Sequence, residues 1–184
     1  TPVLHPILAK HKNDPDIIYS VYSNLIKKLA FLAVIISIAS HFSSKEIILL
    51  MYGQDWVKVI PIFKLFSISI IPSILISTYG PIFQSMGKTS LMFLANIIYG
   101  ICIVIAVLLG VFQNILFVAA YVSGAFYIIF FINFFILIKI LMKRSYMKFL
   151  SLFLEPLLLA LVLVGAFFLI QFIPFNSLIL SFPR

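Results

Sequence analysis

Residues 89–138 read TSLMFLANIIYGICIVIAVLLGVFQNILFVAAYVSGAFYIIFFINFFILI, a run between Lys88 and Lys139 without one Asp, Glu, Lys or Arg. A helix needs about 20 apolar residues to cross a hydrocarbon core of roughly 30 Å. The run is too long for one crossing and about right for two. Its one turn-like break is Gly110-Val111-Phe112-Gln113-Asn114, which sets spans near 89–110 and 114–138.

The rest of the chain agrees. Of its 184 residues, 64% are hydrophobic and 10% charged, against about 45–50% and about 25% in soluble domains. Phe occurs 20 times, more often than the 13 basic and 5 acidic residues together. Such a chain has too few polar groups to face water, which excludes a soluble enzyme and a disordered tail. The net charge of +8 does not indicate nucleic acid, because the cations gather at the ends of apolar runs instead of lining one basic face. Cys102 is the single cysteine, so neither an intramolecular disulfide nor a cysteine metal cluster is available. The start at Thr1 and the apolar Leu178-Ile179-Leu180 just before the end suggest a piece of a longer chain.

These features predict an all-α, polytopic transmembrane bundle of about five spans in one domain, residues 1–184. Upstream of the charge-free run, residues 57–84 form a span that ends at Met86-Gly87-Lys88. Downstream, 156–173 form another, ahead of Pro174. The first span, near 29–50, reads as short or broken, because His41, Lys45 and Glu46 interrupt it; Ile47–Met51 then pack at the far interface. Before it, Asp14-Pro15-Asp16 reads as a helix start with Asp14 as the cap. Placing the N-terminus in the cytoplasm puts nine Lys and Arg inside (Lys10, Lys12, Lys27, Lys28, Lys88, Lys139, Lys143, Arg144, Lys148). Lys45, Lys58 and Arg184 fall outside, and Lys64 falls within a span. This is the positive-inside pattern. Tyr52, Trp56 and Tyr146 stand near span ends, where aromatic anchors belong.

Catalytic constellations are scarce. Asp14-x-Asp16 matches a bare metal-dependent glycosyltransferase pattern, but the helix cap accounts for it. His5, His11 and His41 fit no metal spacing. No cofactor, metal or catalytic residue is expected, and the chain reads as a non-enzyme. Candidate substrate-path residues are Lys64, Lys58 and Gln84. Lys64 lies six residues past Lys58, about 9 Å deeper in a regular helix. At that depth it could attract the phosphates of a lipid-linked substrate, or its stem could snorkel back to the interface. Glu155, directly before Pro156, reads as a first-turn acid at the interface, with a role as the coupling acid left open. Pro61, Pro72 and Pro81 in one span suggest a bent, discontinuous helix, of the kind that lines transporter cavities. Ala106-x-x-x-Gly110 and Ala120-x-x-x-Gly124 would allow close helix approach.

The order of landmarks resembles a known family. Pro6-Ile7-Leu8-Ala9-Lys10 and Asn13-Asp14-Pro15-Asp16 precede a long first helix. Leu50-Met51-Tyr52-Gly53-Gln54-Asp55-Trp56 and a Pro-bearing span follow. Then come Ser85-Met86-Gly87-Lys88 at an inner turn and Val118-Ala119-Ala120-Tyr121-Val122-Ser123-Gly124. This is similar to the C-terminal half of bacterial polysaccharide-biosynthesis flippases, of the lipid-linked oligosaccharide and O-antigen type. They belong to the multidrug/oligosaccharidyl-lipid/polysaccharide exporter superfamily. The resemblance implies half of a two-bundle carrier in the bacterial inner membrane, moving an undecaprenyl-diphosphate-linked sugar unit by alternating access. It implies as partners the lipid-linked oligosaccharide, membrane lipid, the missing N-terminal bundle and a polysaccharide polymerase, and no nucleic acid. Where such chains usually carry Pro-Pro, this one has Glu155-Pro156. The alternatives are a drug or cation exporter of the same superfamily, a membrane-bound sugar polymerase or glycosyltransferase, and an assembly subunit without cargo.

Overall fold

The computed structural model describes residues 15–172. The Asp14 cap, His5, His11, Lys10, Lys12, Arg184 and the last residue of the expected 156–173 span lie outside them. All regular elements described are helical: α1 (Pro15–Phe42), α2 (Ser44–Tyr52), α3 (Ile60–Ile76), α4 (Tyr79–Ser85), α5 (Thr89–Val111), α6 (Ile115–Phe135), α7 (Tyr146–Leu150) and α8 (Leu154–Phe172). Tighter or wider helical turns join α2 to α3 (Gln54–Val59), extend α6 (Ile136–Leu141) and lead into α8 (Ser151–Phe153). Five stretches are long and apolar enough to cross a membrane: Asp16–Phe42, Gln54–Ser85, Thr89–Val111, Ile115–Leu141 and Tyr146–Leu169.

The first stretch extends the sequence reading. The expected break within 29–50 falls at Ser43, between His41 and Lys45, and the helix before it is longer than 29–40 suggests, 28 residues over 15–42. Ile18, Tyr22, Ile26, Ala30 and Val34 recur every four residues and are all buried, so one packing stripe runs straight past Lys27 and Lys28. His41 does not end the helix, because its ring is held against α3. The break comes at Ser43, and α2 is separate. In α2 only Ile48 packs inward among the expected interfacial residues; Leu50 and Met51 are 89% and 66% exposed.

Side-chain pairs fix the directions of the crossings. Tyr22 meets Thr78, Ser37 meets Ser67 and His41 meets Lys64, so α1 and the α3–α4 crossing are antiparallel. Ser123 meets Leu65 and Tyr127 meets Ile68, so α6 runs parallel to α3. Lys27 meets Glu155 and Phe42 stacks on Phe167, so α8 runs parallel to α1. The α5–α6 hairpin closes tightly: a Cβ on Gly110 would lie 2.4 Å from the Val118 Cα. The chain therefore crosses in alternating directions. Lys27, Lys28, Lys88 and the 139–148 cluster stand at one end, with His41, Lys45, Glu46, Asp55 and Lys58 at the other.

Turn chemistry follows local sequence. Gly53 (φ 84°) and Gly87 (φ 67°) occupy the left-handed region that β-carbons disfavour. The Asn114 side chain caps α6 by accepting from the backbone N–H groups of Leu116 and Phe117. The core gathers toward the Lys-rich end, where Tyr22, Phe83, Phe134 and Phe149 are fully buried. There Tyr22 stacks on Phe134, and Phe134 on Phe149.

Candidate functional site

The prolines divide the second crossing. Pro61 lies in the first turn of α3, where its missing N–H costs no hydrogen bond. Pro72 lies inside α3 and leaves the Ile68 carbonyl without its helical donor. The Tyr127 hydroxyl donates to that carbonyl at 2.9 Å. Pro81 stands in the first turn of α4, so no N–H reaches back to Ser77, and the helix is interrupted at Ser77–Thr78. The expected discontinuous element is thus present. Further donors from both neighbours grip its carbonyls: Ser37 on Ser67 at 2.8 Å, His41 Nδ1 on Lys64 at 3.1 Å and Ser123 on Leu65 at 3.1 Å. At the break, the Thr78 hydroxyl donates to the Leu75 carbonyl at 2.6 Å, leaving its oxygen to accept from Tyr22 at 2.9 Å.

On one side of this broken element is a recess of about 490 Å³ between α3, α4, α5 and α6. Ser73, Ser77, Tyr79, Asn96 and Tyr99 supply its polar groups, and Phe126 its aromatic wall. The Tyr79 hydroxyl donates to Asn96 Oδ1 at 2.6 Å, leaving the amide N–H₂ of Asn96 to donate elsewhere. Tyr99 meets Phe126 edge-on. Hydroxyls and an amide beside aromatic faces suit the alternating polar and C–H surfaces of a sugar. On the other side of α3, a crevice of about 410 Å³ runs between α1, α3, α6 and α8; Tyr127 is its single polar lining residue.

The residues singled out from sequence do not converge. Lys58 and Lys64 are exposed and stand at the end opposite the Lys-rich turns. Lys64 precedes Ser73 by nine residues, about 13 Å along α3. Gln84 is exposed on α4, and its side chain approaches the sulfur of Met92, a recess residue, at 3.8 Å. It flanks the recess without lining it. Glu155 is in the first turn of α8 and accepts from Lys27 Nζ at 2.6 Å. Arg144 pairs with Asp16 at the same end of the molecule. Lys27, Ser73, Ser77, Tyr79, Asn96 and Tyr99 escaped the sequence reading. The signal for Asn96 was present, as an amide seven residues into an otherwise apolar span. The hydroxyls carried none, because Ser and Tyr are ordinary in such helices.

Five apolar crossings and a polar recess among them define a multi-pass membrane protein. Residues 1–61 match the model of a family described as polysaccharide biosynthesis protein. Over 158 residues the chain is 25% identical to the teichuronic acid biosynthesis protein TuaB of Bacillus subtilis (strain 168), an alignment that covers 84% of this chain and 33% of that protein. The chain thus spans about a third of the length of this curated relative. No solved structure matches it. Both matches agree with the order of landmarks: the chain is similar to part of a polysaccharide-biosynthesis protein of the flippase type.

Proposed function

We propose that the chain is one helical bundle of a non-enzymatic carrier that moves a lipid-linked oligosaccharide across the bacterial inner membrane by alternating access. The observation that carries this reading is the polar recess of about 490 Å³ set among apolar crossings. Polar side chains at membrane depth are costly and mark substrate paths. The likeness to polysaccharide-biosynthesis proteins supports a sugar as the cargo. The positive-inside rule supports cytoplasmic placement of the Lys-rich end.

In this mechanism the recess holds the sugar by hydrogen bonds from Asn96 and Ser73 and to the hydroxyl oxygen of Ser77, which itself donates to the Ile74 carbonyl, with Tyr99 and Phe126 against its ring faces. The broken α3–α4 crossing is the element that shifts as access alternates, since its backbone bonds are already interrupted. Lys64 and Lys58 attract the diphosphate at the opposite end. The second bundle comes from the rest of the protein, and a polysaccharide polymerase takes the delivered unit. A drug exporter would need an acid facing the cargo. None lines the recess among the described residues.

The test is export by the full-length protein. Asn96→Leu combined with Tyr79→Phe should abolish translocation of a fluorescent polyprenyl-diphosphate oligosaccharide in proteoliposomes while the protein inserts normally. Full translocation by a normally inserted double variant would exclude the recess as the sugar site.

A further inference from the structure

The apolar crevice offers a second site. Its mouth at the Lys-rich end is formed by α1 and α8, with Ala30 one turn beyond Lys27 and with Leu154 and Pro156 on either side of Glu155. The Lys27–Glu155 ion pair at 2.6 Å ties α1 to α8 beside these lining residues. The Glu155 side chain is 63% exposed and the Lys27 side chain half-buried at 33%. The one polar side chain in the lining, Tyr127, is engaged with the Ile68 carbonyl, so the interior offers nothing to a polar ligand. Along α8 the lining extends from Leu154 to Ala160, about 9 Å. That fits within one leaflet, half of a roughly 30 Å core, and suits a segment of one acyl chain better than a long polyprenyl tail.

Charge at the mouth points the same way. The acids at this end, among the described residues, are Asp16 and Glu155, each against a cation. Lys28, Lys88, Lys139, Lys143 and Lys148 add further positive charge. We propose that the crevice binds an anionic phospholipid of the Lys-side leaflet, one acyl chain between α1 and α8 and the phosphate on Lys27. Glu155 is the counter-ion that the phosphate displaces. The site needs only a membrane-embedded chain, so it stands apart from the transport reading.

The test is photolabelling of the full-length protein in vesicles, using phosphatidylglycerol with a diazirine in one acyl chain and a phosphatidylcholine analogue as comparison. Adducts should concentrate on Val34, Leu157 and Ala160. They should favour phosphatidylglycerol about fivefold, the factor that one lysine contributes toward an anionic headgroup. Lys27→Gln should erase that preference, and Glu155→Gln should preserve or increase it. Ala160→Trp should remove the crevice adducts, whereas Leu161→Trp, on the exposed face, should not. If Ala160→Trp does not fold, Leu157→Trp takes its place. Adducts spread evenly over α5 and the crevice, or equal labelling by both headgroups, would overturn the site. Displacement by unlabelled polyprenyl diphosphate at equal concentration would overturn it too, and assign the crevice to a carrier lipid.

Discussion

Replacing Tyr127 with Phe removes one oxygen from the middle of the bundle. That hydroxyl donates at 2.9 Å to the Ile68 carbonyl, whose helical partner is Pro72, a residue with no N–H. Ile68 is near the middle of the Gln54–Ser85 crossing, where no water can substitute. Hydrogen bonds between membrane helices average about 0.6 kcal/mol and reach about 1.7, while an orphaned buried acceptor costs about 1–3 kcal/mol. Since Tyr127 is the carbonyl's donor, Tyr127→Phe should cost about 1–1.7 kcal/mol, the upper end of the membrane range. Pro72→Ala returns an N–H to position i+4, so in that background Tyr127→Phe should cost no more than about 0.5 kcal/mol. The assay is a double-mutant cycle by reversible SDS unfolding in mixed micelles. Equal costs in the two backgrounds would refute the claim that Tyr127 compensates for Pro72.

The α5–α6 hairpin gives a paired test: Gly110→Ala should destabilise by about 1–3 kcal/mol through its clash with Val118. Gly124→Ala, in open space, should be neutral or gain up to about 1 kcal/mol from helix propensity; similar unfolding midpoints for the two would contradict the close approach. Lys64→Ala should abolish export with membrane levels unchanged, and undiminished export would remove Lys64 from the phosphate path. In a Cys102→Ser background, a cysteine at position 145 should resist an impermeant thiol reagent applied from outside and one at position 113 should react; the reverse pattern would invert the orientation.

The first crossing shows where sequence reading stops. His41, Lys45 and Glu46 argued for a short or broken span near 29–50, because hydropathy averages over every face of a helix. The break does come there, at Ser43, but the first helix runs on past Lys27, Lys28 and His41. Its packing stripe from Ile18 to Val34 is continuous, Lys27 has Glu155, and His41 has the Lys64 carbonyl. Each partner lies more than twenty residues away, so no local window contains it. The break at Ser77–Thr78 was legible for the opposite reason, since proline's missing N–H acts within four residues. Gly110 was legible as a small residue at helical spacing; that Gly124 faces open space was not.

The candidate site divides the same way. Gln84 brought the reading to the rim of the recess, and Asn96 was a detectable amide in an apolar run. Ser73, Ser77, Tyr79 and Tyr99 become a site only when α3, α4, α5 and α6 pack together.

The sequence alone determined the solvent, the number of crossings and the charged end, because burying a charge in hydrocarbon is expensive wherever the chain later folds. Tertiary packing alone decided which polar side chains share a cavity and which cation meets which acid. Between lipid-embedded helices no hydrophobic force selects the partner face, and the choice rests on close fit and on a few hydrogen bonds between residues far apart in the chain.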